Sequence, residues 1–406
     1  MEIRTYSESG YRYLRVSDLG QHGIENHNPR YVDIEEIPNK IKLTNNSFLI
    51  SRSGSLGLVS VVEDEVKEAI LSSHIFKVSL NTTKIRPEYL EALLRSQIGQ
   101  FQFFQNNNGA VIPEISQIAL KSIRVVLPPL NIQNHIVSFM RSAHAHKKEK
   151  EQEADVLLAS IDDYVLTELG IEMPQQKENS IDSRIFTTTS SEVFGGRFDP
   201  EVYHQVYSLH TETYPMEKFQ NCVLINPTTS FYGYELDTSI TFVPMEKVSA
   251  KYGEADLSLC KAIEEAKGYT RFRDNDLIWA KITPCMENGK SAIVDSLKGG
   301  IGCGSTEFHV FRALEEINIH YIHALLRLKS LRKHAALHFT GSAGQQRVSS
   351  EFFKELIIPK PSIEKQAEIA DYITNTRNRV KQLQQEANAI VGQAKERVEQ
   401  ILLAEG

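Results

Sequence analysis

Two stretches of the chain repeat apolar residues at alternating threes and fours over roughly 40 residues each. In the first the positions are Ile136, Met140, Ala143, Ala154, Leu157 and Ile161. In the second they are Ile369, Ile373, Thr376, Val380, Leu383, Ala387, Ile390, Ala394 and Ile401. Both are rich in Glu, Gln, Lys and Ala and free of proline, so each predicts one amphipathic helix of about 60 Å at 1.5 Å per residue. A stripe that narrow has to be buried against another helix, and the nearest partner is its own copy. The middle of the first stripe is polar, with Lys147 and Lys150, which predicts weaker or wetter packing there. The charged run from Lys147 to Glu153 reads as a solvated face.

Both predicted helices open in the same way. Pro128-Pro129-Leu130-Asn131-Ile132-Gln133-Asn134-His135-Ile136 runs parallel to Pro361-Ser362-Ile363-Glu364-Lys365-Gln366-Ala367-Glu368-Ile369, with Pro, Gln and the final Ile in register. Proline cannot donate to a strand ladder and disfavours helix at the residue before it, so Ile123–Leu127 and Leu356–Ile358 are expected to be strands that stop there. Gln133 and Gln366 fall in the first helical turn, where a Gln can satisfy free backbone donors in a box-like arrangement. Docking a partner is the other use open to them.

The repetition extends backward. Leu49–Gly54 faces Ile278–Thr283, Leu71–Phe76 faces Gly304–His309, and Glu88–Leu94 faces His320–Leu326. Asn108-Gly109-Ala110 through Ser116 faces Gly341-Ser342-Ala343 through Ser349. Short strands, a helix, a Gly-rich loop, a helical turn and a closing strand thus occur twice, each time ahead of a long helix. That order predicts an α+β chain of two similar α/β globular domains joined and followed by long α-helices. The expected divisions are residues 1–128, 129–172, 173–358 and 359–406.

Composition narrows the class. With 406 residues the chain can hold two or three cores, and 41% hydrophobic with 24% charged residues is ordinary for a globular protein in water. No apolar run approaches 18 residues, and the opening residues lack a basic-then-apolar leader, so a cytoplasmic location away from membranes is expected. Cys222, Cys260, Cys285 and Cys303 never fall at C-x-x-C spacing, which disfavours a zinc knot or disulfide framework. The formal net charge of -7 runs against a protein that holds a duplex alone, since phosphate neutralisation supplies much of such affinity.

Two diverged globular domains, each followed by a Pro-x-x-x-x-Gln-x-x-Ile helix, resemble the type I restriction-modification specificity subunits over almost the whole chain. The resemblance implies two target recognition domains that each read half of a split site on double-stranded DNA. It implies that the long helices form an antiparallel coiled coil that spaces them. It further implies two modification (methyltransferase) subunits as partners, to which restriction (motor-nuclease) subunits add. S-adenosylmethionine, ATP and magnesium are then expected in those partners, with no cofactor and no catalysis in this chain. Partner surfaces would make the negative charge tolerable. One departure stands out: Gly196–Tyr203 resembles the usual opening of such a domain, whereas only about ten residues precede Tyr11, so the first domain is expected to be N-terminally short.

Motifs for catalysis are scarce. Ile225-Asn226-Pro227-Thr228 lacks the second proline and the aromatic of an amino-methyltransferase loop, and Gly289-Lys290-Ser291 has Pro284 where a phosphate-binding loop needs its first glycine. His334 and His338 could share a metal on one helix face, but no third ligand is evident. His320 and His323 read as helix-surface residues. Bases and phosphates are read by Arg, Lys, Asn, Gln, Ser and Thr. Four loops carry them: Arg52, Ser53 and Ser55; Asn106, Asn107 and Asn108; Lys281 and Thr283 with Asn288 and Lys290; and Thr340 and Ser342 with Gln345, Gln346 and Arg347. The same residue types also simply make turns. A coiled-coil scaffold without nucleic acid, a silent specificity cassette, and an enzyme with unfamiliar motifs remain the competing readings.

Overall fold

The computed structural model describes residues 6–20, 23–25, 28–34, 43–44, 47–62, 66, 68–109, 111–172, 185, 187, 209–341 and 345–405. Gly196–Tyr203, read as a domain opening, lies outside the described residues. The chain divides into two compact units, unit 1 from residues 1–153 and 382–406, and unit 2 from residues 154–381.

In unit 1, Tyr11–Leu14 lies between Arg30–Val32, antiparallel, and Ile70–Leu71, parallel. A second sheet centres on Ser47–Ser51, antiparallel to Val59–Val61 on one side and Ile75–Ser79 on the other. All five residues of Ser47–Ser51 are buried, as suits a strand covered on both faces. Helices Pro87–Arg95 and Gln97–Gln105 follow, joined at Ser96. Proline at the first helical turn starts the former, and the Ser96 hydroxyl caps the latter by accepting Gly99 N–H at 3.3 Å. Tyr89, Leu90, Leu93 and Leu94 turn inward from the first helix.

Unit 2 has the same plan. Ser239–Val243 lies between Cys260–Ala262, antiparallel, and Ile301–Gly304, parallel, with Thr270–Arg273 added outside. Asp276–Ala280 centres the other sheet, antiparallel to Ser291–Val294 and Phe308–Ala313, and Val223–Ile225 extends it. Even the register agrees, with Ser51 opposite Ile75 in one unit and Ala280 opposite Phe308 in the other. The buried carboxylate of Asp276 is tolerated because Arg312 meets it with two bonds of 2.7 and 2.8 Å.

The long helices span Leu130–Glu168 and Ile363–Glu405. Within unit 1, Ile136, Met140 and Ala143 share a core cluster with Ala394, Val398 and Leu402. Within unit 2, Ile161, Val165 and Leu169 share one with Ile369 and Ile373, the Tyr164 and Tyr372 rings stack at 3.6 Å, and Lys365 meets Glu168 at 2.5 Å. The start of each helix therefore packs on the end of the other, which makes the pair antiparallel. Two expectations are corrected. The buried stripe runs through Val391, Val398 and Leu402, leaving Ile390 and Ile401 on its half-buried flank, because the helical repeat drifts against a fixed pattern of threes and fours. Lys147–Glu153 is not merely a solvated face: Lys150 Nζ donates to Glu386 of the other helix at 2.8 Å, and the Lys147 side chain is 14% exposed.

The glutamines also act differently from a box on their own helix. Gln133 Oε1 accepts the N–H of Arg86 at 2.8 Å, while its Nε2 donates to the carbonyls of Lys84 and Pro128, both at 2.9 Å. Gln366 repeats this with Asn318 N–H (2.9 Å) and the carbonyls of Glu316 (3.3 Å) and Pro361 (2.9 Å). Both are fully buried, and each fastens the start of a long helix to the start of a short one. Beside them, the hydroxyls of Tyr89 and Tyr321 donate to the carbonyls of Val126 and Pro359, each at 2.8 Å.

One expected strand forms and one does not. Ile357–Pro359 pairs with Met216–Lys218, but Ile123–Leu127 has no strand partner among the described residues. Its β-forming residues are insufficient without a second strand to bond.

Candidate nucleic-acid interface

In each unit the loop leaving the central strand meets the end of the Gly-rich loop. In unit 1, Arg52 N–H donates to the His74 carbonyl at 2.7 Å, Ile115 N–H to the Arg52 carbonyl at 2.9 Å, and Gly54 N–H to the Pro113 carbonyl at 2.9 Å. In unit 2, Lys281 N–H donates to Glu307 at 2.9 Å, Val348 N–H to Lys281 at 3.0 Å, and Thr283 N–H to Gln346 at 3.0 Å. Isolated bridges join Ser53 to Glu114 and Ile282 to Arg347 at equivalent places. The backbone platform is the same twice.

Its side chains differ. In unit 1, Arg52 pairs with Glu114 at 3.0 Å and lies 5.8 Å from the Phe76 ring centroid, while the Ser53 hydroxyl is 2.5 Å from His74 Nδ1. Ser55 is exposed. In unit 2 the acid is on the other side: Glu307 receives both arms of Arg347 at 2.8 Å, which holds its carboxyl below the usual range, with Lys281 adding to the field. Thr283 donates to Glu287. Water and salt screen such half-exposed pairs, so a phosphate or base edge can compete for the cations.

Several candidates also bond within the fold. Asn106 donates to the Gln102 carbonyl and accepts from Ser122, both at 2.9 Å. Asn107 Oδ1 takes the N–H groups of Gly109 and Glu114 at 3.0 Å, and Asn108 reaches Ser116 at 3.4 Å. Lys290 Nζ donates to the Met245 carbonyl at 2.8 Å, and Thr340 donates to the Arg347 carbonyl at 3.3 Å. Asn288 and Gln345 are exposed and Gln346 is half-buried; Ser342 lies outside the described residues.

Sequence reasoning missed Glu114, His74 and Glu307, which come from distant segments. It also missed a basic, aromatic edge of unit 2. Arg271 and Arg273 are exposed on either side of buried Phe272, and the Arg271 guanidinium lies 4.4 Å from the Phe231 ring. Tyr232 follows at 96% exposure, beside Gly233 with φ of 92°. The alternation of Thr270–Arg273 was a legible signal for a half-buried strand with a cationic outer face.

The histidines are placed by packing. His334 and His338 lie 5.0 Å apart against Phe352, and burial pushes His334 down to about 4. No group of three metal-ligating side chains occurs among the described residues. His323 is not on the surface: it is 3% exposed, its Nε2 3.0 Å from the Ser291 hydroxyl. Asn226 bonds His309 and the Val310 N–H, so it serves the fold.

What fold and platform define together is a duplicated α+β module on paired antiparallel helices, with one scaffold presenting two sets of side chains. The type I restriction modification DNA specificity domain matches residues 5–157 and 230–391, and the chain belongs to that family. It is 40% identical over 170 residues to the type I restriction enzyme EcoEI specificity subunit of Escherichia coli and 38% identical over 169 residues to the EcoAI specificity subunit of the same organism. Each match covers 41% of this chain and 28% of the relative, little more than a quarter of its length. A chain solved in work on complex assembly and conformational transition of the type I R-M system shares the fold, with a TM-score of 0.56 at 13% identity over 97% of this chain and 90% of that one. The HsdS subunit from Thermoanaerobacter tengcongensis aligns over 97% of this chain and 89% of its own at 14% identity, with a TM-score of 0.43. No described helix is long and apolar enough to cross a membrane.

Proposed function

We propose that the chain is the DNA sequence-recognition subunit of a type I restriction-modification complex, with one half of a bipartite double-stranded site read by each unit. The observation that carries this reading is the platform itself: identical backbone pairing holds Arg52, His74 and Glu114 in unit 1 and Lys281, Glu307 and Arg347 in unit 2. A constant frame with interchangeable side chains is what direct readout of two unlike half-sites requires. Arg52, Lys281 and Arg347, with Ser53, Ser55, Thr283, Asn288 and Gln345, are the proposed contacts; the turn-making asparagines and Lys290 position them.

In this reading two modification subunits dock on the chain and carry S-adenosylmethionine, and restriction subunits use ATP and magnesium. The chain itself catalyses nothing and works in the cytoplasm. The phosphate-binding charge that a chain of net charge -7 does not supply comes from those partners.

The test is to exchange the unit 2 platform, residues 281–288 and 340–347, for that of a relative of different specificity, and to map methylated adenines made by the complete complex. One half of the recognised site changes and the other stays. An unchanged map would leave the scaffold reading in its place.

A further inference from the structure

A cleft of about 270 Å³ lies where helix Pro87–Arg95 of unit 1 meets both long helices. Ala92, Val137 and Met140 give it an apolar lining, and most of the remaining wall is charged. Glu91 meets Arg95 at 2.9 Å and Glu88 meets Arg141 at 2.7 Å, so its two carboxylates are each matched by an arginine.

Lys395 is the cation left over. Its ammonium makes no hydrogen bond or ion pair among the described residues. The residue is half-buried, and burial, then Arg95 and Lys147, push its pKa below the ordinary lysine value, with Glu399 acting the other way. Glu399 is itself engaged: it accepts the Gln97 N–H at 2.6 Å, at the start of helix Gln97–Gln105.

Unit 2 holds a carboxylate at this corner. In the register that places Gln133 on Gln366 and Tyr89 on Tyr321, Arg95 matches Arg327, Gln97 matches Lys329 and Lys395 matches Asp162. Asp162 accepts the Lys329 N–H at 3.0 Å, and its charge favours protonated Arg327 and Arg332. Unit 1 keeps the arginine but has a further cation where that carboxylate stands. Glu399 takes over the N–H bond from a position one helical turn further along. A partly desolvated cation cluster is stabilised by an opposite charge placed within a few ångströms, and here the missing charge is a carboxylate.

We propose that the cleft binds a small organic carboxylate, its oxygens on Lys395 Nζ beside Arg95 and its carbon chain against Val137 and Met140. The bond to Lys395 is charge-assisted, and the apolar lining separates such a ligand from an inorganic anion. The volume suits an anion of a few carbon atoms and is too small for a nucleotide or a peptide segment. Neither DNA nor a partner subunit enters, so the proposal stands apart from the function proposed above.

The test uses the full chain with methyl-labelled methionine, titrated with sodium butyrate, sodium acetate, sodium phosphate and butylammonium chloride at one ionic strength. The Met140 methyl resonance, assigned through Met140→Leu, reports on the cleft, and that of Met286, buried in unit 2, is the reference. Expected is a saturable shift of Met140 with butyrate while Met286 stays in place, about tenfold tighter than with acetate because two more methylenes are buried. Lys395→Gln weakens butyrate at least tenfold while the free chain keeps its Met140 resonance, and Lys395→Arg retains most of the affinity. Phosphate binding as tightly as butyrate, a Met140 response matched by butylammonium or by sodium chloride, or binding undiminished by Lys395→Gln would each overturn the proposal.

Discussion

Gln366 accepts the backbone N–H of Asn318 at 2.9 Å across 48 residues of sequence. That bond ties the first turn of the second long helix to the N-cap of Ile319–Arg327, whose side chain already caps His320 and Tyr321. Gln133 does the same for Arg86. The repeated glutamine is therefore a joint between module and rod, and its conformation is fixed on three sides by backbone groups.

Replacing Gln366 by Ala leaves a buried N–H and two carbonyls without partners. At the usual net value of a buried hydrogen bond the loss is about 2 to 3 kcal/mol. Gln366→Glu does not rescue it, because a carboxylate facing the carbonyls of Glu316 and Pro361 supplies no donor. Urea unfolding followed at buried Trp279, the single tryptophan of the chain, reads this in unit 2 alone. An unchanged midpoint for Gln366→Ala would remove the joint from the argument.

The Pro-x-x-x-x-Gln-x-x-Ile repeat and the helical stripes were legible because they are local patterns. What they meant chemically was not. Gln366 bonds Asn318, and Lys290 bonds Met245 across 45 residues, partners that no local pattern names. Ile123–Leu127 has the composition of a strand, but pairing is a property of two segments. The site behaved likewise: Arg52 and Lys281 could be named as loop cations, whereas Glu114 and Glu307 became visible as their neighbours only once segments 62 and 26 residues away came together.

Arg52 and Lys281 should respond differently from Lys290 in DNA binding by the complete complex. Arg52→Ala and Lys281→Ala each remove an exposed or half-exposed cation, so affinity falls and the slope of log K against log salt drops by about one where a phosphate contact is lost. Lys290→Met removes the bond to the Met245 carbonyl and costs about 1 kcal/mol of unit 2 stability, with the slope unchanged. Salt titrations of the three variants decide the matter; a reduced slope for Lys290→Met would show that its role was misassigned.

The Lys150–Glu386 pair crosses the helix pair at 2.8 Å with both side chains about one-third exposed. Water and salt screen it, so a double-mutant cycle with Lys150→Ala and Glu386→Ala should give a coupling below about 1 kcal/mol that shrinks at high ionic strength. A larger, salt-independent coupling would mean the pair sets the helix register rather than filling a polar gap.

Unit 2 should lose stability in mild acid. Burial pushes His309 and His334 down to about 4, and His323 well below its ordinary value. His309 is held neutral between the Val348 carbonyl and Asn226, with Trp279 stacked 6.4 Å away. A depressed histidine pKa means that the unfolded chain binds the proton first, near 6.5. The stabilising contribution is therefore complete above pH 6.5 and is lost as the pH falls through that value toward 4, on the order of 3 kcal/mol for His309 alone. Between pH 6.5 and 5 most carboxylates remain ionised, so the window isolates the histidines. The urea midpoint read by Trp279 should fall steadily across it, and His309→Gln, whose amide can still donate to Val348, should flatten the slope. A midpoint that holds constant from pH 6.5 to 5 in the parent chain would mean these rings are already protonated, or reach water, in the folded unit.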